Sequence, residues 1–138
     1  MAEPNPRSLR VLVVDDEPNI RSMLSMSLSA DGHNVSSVAN PKDALVQIAR
    51  QPFDLAFVDL RLGTEQGIDL IPKLLAENTW LQVVVITAFA TVETAVEAMR
   101  RGASDYLPKP FTPAQVRLVV ERVSRLRALQ QRVAGLEG

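Results

Sequence analysis

A chain of 138 residues with 46% hydrophobic and 22% charged residues has the length and composition of one globular domain with its own core. The formal net charge of -1 argues against a nucleic-acid footprint, and the absence of cysteine excludes disulfides, thiolate metal sites and thiol nucleophiles. The first ten residues hold Pro4 and Pro6 and no apolar run, and no stretch approaches a membrane span, so a cytoplasmic protein without signal peptide or anchor is expected.

Residues 1–8 read as a flexible lead into the fold. Val11-Leu12-Val13-Val14 is a continuous apolar, mostly β-branched run, as a strand buried on both faces reads. Pro18 suits a first helical turn, and Ile20, Met23, Leu24 and Leu28 follow it at helical spacing. His33, the single histidine, follows Asp31-Gly32 and reads as part of a surface turn. Val35-Ser36-Ser37-Val38 is a weaker strand of edge character, and Asn40-Pro41 opens a helix bearing Ala44, Leu45, Ile48 and Ala49. Leu55-Ala56-Phe57-Val58 is the next buried strand. After Gly67 a helix follows with Ile68, Leu70, Ile71, Leu74 and Leu75. Trp80 reads as a packing residue ahead of the strand Val83-Val84-Val85-Ile86. Thr91 is a good N-cap for a helix with Val92, Ala95, Val96 and Met99, and Asp105-Tyr106-Leu107 makes a short fifth strand.

The last helix starts near Thr112-Pro113 and is longer than the rest of the pattern needs. Val116, Val119, Val123, Leu126, Leu129, Val133 and Leu136 form one stripe, expected to pack on the sheet up to about Leu126. Beyond that the stripe is either an apolar seam covered by a second copy in a coiled coil, or a frayed and solvated tail. Five strand–helix pairs with short connections predict an α/β fold, a doubly wound parallel sheet with helices on both faces.

In such a sheet ligands gather at the carboxyl ends of the strands. There the first strand ends in Asp15-Asp16-Glu17, the third in Asp59 and the fourth in Thr87-Ala88, while the fifth leads into Lys109-Pro110. Singly each has a plain explanation: an Asp between strand and helix is more often a cap than a ligand. Gathered together, the carboxylates would repel one another, which raises a carboxyl pKa or recruits a cation, and oxygen ligands suit Mg²⁺. A carboxylate can attack phosphorus to give an aspartyl phosphate, with Lys109 supplying positive charge and Thr87 a hydrogen bond. Two other classes fit less well. A hydrolase of the haloacid dehalogenase type carries Asp-x-Asp after its first strand, where these acids are adjacent. A flavin-binding module wants a glycine- and hydroxyl-rich phosphate loop, where Asp15-Asp16-Glu17-Pro18 would repel phosphate.

Over about residues 8–125 the chain resembles bacterial response-regulator receiver domains. The motifs are Val11 to Glu17, Asp59 with Gly67 eight residues on, Thr87-Ala88 and Lys109-Pro110-Phe111. The resemblance implies a flavodoxin-like fold with strand order 2-1-3-4-5, a receiver over 9–126 and a helical linker over 127–138 leading to an output domain. It implies that Asp59 is the phosphoacceptor, phosphorylated by a sensor histidine kinase. Asp16 and Asp59 would bind Mg²⁺ directly, Asp15 through water, and Arg61 by its backbone carbonyl. Thr87, Ala88 and Lys109 would bind the phosphoryl group, the Lys109-Pro110 bond would be cis, and Thr87 and Tyr106 would form the switch. The output face would be the fourth helix, fifth strand and fifth helix, with Val123, Leu126, Leu129, Val133 and Leu136 as dimer or linker positions. Asp59-Leu60-Arg61-Leu62-Gly63 and the run from Thr87 to Met99 look like the NtrC-type activators of sigma-54 polymerase, particularly their alginate-biosynthesis regulators. Those carry an ATPase and a DNA-binding domain; a single-domain receiver acting by protein binding is the alternative. Many receivers have Met-Pro where this chain has Leu62-Gly63, so a more flexible loop is expected, and Arg61 beside the acceptor is placed to alter phosphoryl lifetime.

Overall fold

The computed structural model describes residues 8–62 and 65–137. The elements are β1 (Arg10–Val14), α1 (Pro18–Ala30), β2 (Asn34–Val38), α2 (Pro41–Arg50), β3 (Leu55–Asp59), β4 (Arg61–Leu62), β5 (Glu65–Gln66), a 3₁₀ turn (Gly67–Asp69), α3 (Leu70–Glu77), β6 (Gln82–Thr87), α4 (Val92–Arg100), β7 (Asp105–Pro108) and α5 (Pro113–Glu137). Five strands form a parallel sheet in the order β2-β1-β3-β6-β7. Counting those strands alone, this is the 2-1-3-4-5 order. Chain order reverses on either side of β1, which opens a crevice at the carboxyl ends of β1 and β3.

The unbroken apolar runs are explained by the two faces of this sheet. Leu12, Val14, Ala56, Val58, Val83 and Val85 point to one side, where Ala44 and Ile48 of α2, Leu70, Ile71 and Leu74 of α3 and Ala98 of α4 cover them. Val11, Val13, Leu55, Phe57, Val84 and Ile86 point to the other, against Leu24 and Leu28 of α1 and Val116, Val119, Val120 and Val123 of α5. Successive strand residues alternate sides, so a strand covered on both faces has no polar position to spare.

Several expectations change in detail. The buried stripe of α5 ends at Val123, which is 3% exposed, whereas Leu126 is 40% and Leu129 is 54% exposed. A five-residue strand spans roughly 17 Å and a helix rises about 1.5 Å per residue, so α5 clears the sheet in about eleven residues. Val123 is therefore part of the core, and the side chains of Val133 and Leu136 lie outside the described residues. Trp80 is exposed to 44%, not packed away. His33 is half-buried: its Nδ1 accepts the Leu9 N–H at 3.0 Å, tying the start of the chain to the turn after α1. Burial lowers its pKa, with Asp31 opposing. Residues 1–7 and Gly63 lie outside the described residues, but Ser8 donates its hydroxyl to Gly32 O at 2.8 Å. The loop after Asp59 contains an antiparallel pair, Arg61 opposite Gln66 and Leu62 opposite Glu65.

That hairpin returns the chain against β3. The Gly67 N–H donates to Leu60 O at 2.8 Å, and a Cβ at Gly67 would stand 1.8 Å from the Asp59 carbonyl oxygen. Backbone cannot yield as a side-chain tip can. Gly67→Ala is expected to lower stability in urea by about 2 kcal/mol or more, at the upper end for overpacking; an unchanged unfolding midpoint would contradict this close approach.

Candidate functional site

Each site residue is delivered by the end of a buried strand. Asp15, Asp59 and Thr87 are 0%, 4% and 1% exposed at the ends of β1, β3 and β6, while Asp16, Glu17 and Ala88 next to them are exposed. Lys109 follows β7. Its N–H donates to Thr87 O at 2.8 Å, and the Lys109–Pro110 bond is cis. One oxygen from each of Asp15, Asp16, Glu17 and Asp59 lies within 4.8 Å of the others.

The Lys109 ammonium sits among these acids with its side chain 8% exposed. It is 3.0 Å from Asp59 Oδ2, 2.9 Å from Asp15 Oδ2 and 3.1 Å from Glu17 Oε1. It donates hydrogen bonds to Asp59 and Glu17. Asp15 Oδ2 meets the ammonium as an ion pair and not in hydrogen-bond geometry, so it is a buried carboxylate oxygen with a charge beside it and no aligned donor. The other oxygens are placed by backbone: Glu17 N–H donates to Asp15 Oδ1 at 2.8 Å, and Arg61 N–H to Asp59 Oδ1 at 3.1 Å. An all-oxygen set with one buried orphan oxygen is what a hard divalent cation would satisfy, and the residues fit Mg²⁺.

The electrostatics follow from burial. Burial pushes the Asp15 carboxyl from 3.8 up to about 6; the Glu17 N–H and Lys109 pull it back, and the Asp59 charge pushes it further. Burial alone would lower Lys109, but the paired carboxylates of Asp15 and Asp59 outweigh it and hold the ammonium above its ordinary value.

The sequence brings Asp15, Asp16, Asp59, Thr87 and Lys109 to one place, as their strand-end positions predict. Tyr106 belongs to β7, half-buried, its hydroxyl 3.2 Å from Thr94 Oγ1. Beside Glu17, two further neighbours, Arg21 and Phe89, complete the surroundings. Glu17 pairs with Lys109; Arg21, one turn into α1, donates to Asp15 O at 2.8 Å. The Arg61 guanidinium lies 3.8 Å from the centre of the Phe89 ring, which is itself 54% exposed. Arg21 and Phe89 carried a legible signal, one turn from the acids and two residues after Thr87.

Residues 11–121 match the family model described as "Response regulator receiver domain". The chain belongs to the response regulator receiver domain family. This receiver is 39% identical over 129 residues to the alginate biosynthesis transcriptional regulatory protein AlgB of Pseudomonas putida, covering 94% of the chain but 29% of that relative. It is 37% identical over 118 residues to the response regulator protein PilR of Pseudomonas aeruginosa, covering 86% and 26%. The crystal structure of NtrX from Brucella abortus superposes with a TM-score of 0.88 at 34% identity, over 94% of this chain and 29% of that one. The chain therefore spans under a third of the length of these relatives. A CheY-like receiver from Methanospirillum hungatei, 24% identical with a TM-score of 0.85 over 89% and 98%, shares the fold. Among the described residues no helix is long and apolar enough to cross a membrane.

The raised Asp15 pKa has a stability consequence in metal-free receiver. A carboxyl whose pKa is raised on folding favours the folded state below its unfolded value of 3.8, and this contribution is lost as pH rises through about 6. Asp15→Asn removes that titration. In chelator, its stability relative to wild type is expected to grow from about pH 4 to about pH 7 in urea titrations; a difference independent of pH would show that Asp15 is not strained by burial.

Proposed function

We propose that this receiver is the phosphorylation-controlled input domain of a cytoplasmic transcriptional regulator of the NtrC type, with Asp59 as phosphoacceptor. The observation that carries the reading is the Asp59 carboxylate held at 3.0 Å by the buried Lys109 ammonium at the rim of an all-oxygen acidic cluster. A carboxylate oxygen of Asp59 attacks phosphorus in the phosphohistidine of a sensor kinase. The O–P bond forms as the N–P bond breaks, and its electron pair returns to the imidazole. Bound Mg²⁺ supplies positive charge that neutralises the phosphoryl oxygens during transfer. Asp16 and Asp59 would hold it directly, Asp15 through water and Arg61 by its carbonyl. Lys109 stays beside Asp59 as a second cation, and Thr87 with the Ala88 N–H supplies hydrogen bonds. Beyond its own phosphorylation and dephosphorylation the domain catalyses nothing.

The relatives' greater length supports an output region that follows α5, namely an ATPase and a DNA-binding domain, rather than a single-domain receiver. Residues 9–126 would form the receiver and 127–138 the linker. Exposed Val96 and Met99 of α4, with Leu126 and Leu129 of α5, supply apolar surface for a second copy. In this arrangement the domain itself contacts neither DNA nor membrane.

With acetyl phosphate and Mg²⁺, intact-protein mass spectrometry should show one added phosphoryl mass in wild type and none in Asp59→Asn or with chelator. Absence of the gain in wild type would demote Asp59 to a structural acid. Arg61 lies two residues after Asp59 with its guanidinium over the Phe89 ring, so Arg61→Ala should shorten the lifetime of the phosphorylated form several-fold. Equal decay of the two proteins would remove that role.

A further inference from the structure

A second hydrogen-bond network joins the start of α4 to the last strand, and its meaning rests on Asp59 being the phosphoacceptor. Thr94 is the third residue of α4. Its N–H donates to Thr91 Oγ1 and its own Oγ1 accepts from Thr91 N–H, both at 3.1 Å, closing the first turn reciprocally. That task usually falls to Glu or Gln at this position. The same Thr94 Oγ1 is 3.0 Å from Thr91 O, 3.0 Å from Thr91 Oγ1 and 3.2 Å from the Tyr106 hydroxyl on β7. A hydroxyl has one proton and two lone pairs. With the Thr91 N–H on one lone pair and its own proton shared between Thr91 O and Phe89 O, Thr94 keeps one lone pair, which the Tyr106 hydroxyl reaches as donor when the Thr91 hydroxyl proton turns away.

Phe89 connects this network to the acidic site. Its N–H donates to Thr87 Oγ1 at 3.0 Å, and its carbonyl lies 3.4 Å from Thr94 Oγ1, a weak contact. A Thr87 hydroxyl that turns to a phosphoryl group on Asp59 releases the Phe89 N–H, and the turn bearing Thr91 and Thr94 must then rearrange. We infer that Thr94 is a positioning residue that latches Tyr106 where it stands in the unphosphorylated receiver. The chain Thr87–Phe89–Thr94–Tyr106 lets phosphorylation release the latch. A Glu at this position could close the same capping turn by reaching back over a longer side chain. The short threonine does so with an oxygen that Tyr106 also reaches.

Breaking the latch favours the phosphorylated arrangement. A 3.2 Å hydroxyl pair is long, so the effect should lie near the lower end for a neutral hydrogen bond, about two- to fivefold. The probe is beryllofluoride with Mg²⁺, a phosphoryl mimic whose bound fluorine is followed by ¹⁹F NMR. Thr94→Val should tighten apparent affinity by that factor, and Thr94→Ser should restore the wild-type value. Tyr106→Phe, which leaves the capping turn of Thr94 intact, should also tighten affinity, and adding it to Thr94→Val should gain nothing more, because the Thr94–Tyr106 contact is already lost. Unchanged affinity in Thr94→Val, or effects that multiply in the double variant, would overturn the latch. Tyr106 is the single tyrosine, so its ring resonances are a second readout without any ligand. They should move in Thr94→Val and not in Thr94→Ser; resonances unmoved in Thr94→Val would also overturn it. Failure of wild type to take up beryllofluoride would instead sink the Asp59 reading, and the ring resonances would still decide the latch.

Discussion

Two nearly inaccessible carboxylates, Asp15 and Asp59, share one buried ammonium, and the sheet is built so that they cannot move apart. Such a grouping does not stabilise the fold. Burial penalises the charged form of Asp15, the Asp59 charge adds to that penalty, and Lys109 compensates for part of it. What holds the acids in place is the pair of apolar layers behind them. Each of β1, β3 and β6 is gripped on both faces, and a fully buried Val, Leu, Ile or Phe contributes roughly 1.5–3 kcal/mol. The strand ends are thus a rigid rim on which unfavourable charge can be kept in reserve for a cation and a phosphoryl group.

The same rigidity explains why the site is sensitive to backbone as well as side chains. Asp59 is flanked by Leu60 and Arg61, whose backbone bonds reach Ile86 O, Gly67 N and its own Oδ1. Thr87 is tied in two directions, by its carbonyl to Lys109 N and by its hydroxyl to Phe89 N. Asp59, Lys109 and Thr87 therefore stand in one bonded framework.

Much of this was legible in the sequence, for reasons that also mark where legibility stopped. Continuous β-branched runs announced strands covered on both sides, and in a parallel sheet that fixes where Asp15, Asp59, Thr87 and Lys109 must meet. The two-residue strands β4 and β5 have no periodicity to detect. Long-range pairings left no local trace either: His33 Nδ1 takes an N–H from Leu9 across 24 positions, and Thr94 meets Tyr106 across 12. Val123 and Leu126 belong to one helical stripe, but only the height of the sheet decides that the first is core and the second is not. Trp80 precedes an inner strand yet is 44% exposed, since the usual burial of tryptophan is a tendency that tertiary placement overrides.

Helix α5 continues without interruption from Pro113 to Glu137, and the last core residue among its described side chains is Val123. The fourteen positions beyond add about 21 Å of helix. A rod of that length converts a few degrees of tilt at its base into a displacement of an ångström or more at its tip. It also fixes an angular phase, since each added or deleted residue would swing whatever it bears by about 100° around the helix axis. Each residue past Val123 therefore sets a direction as well as a distance.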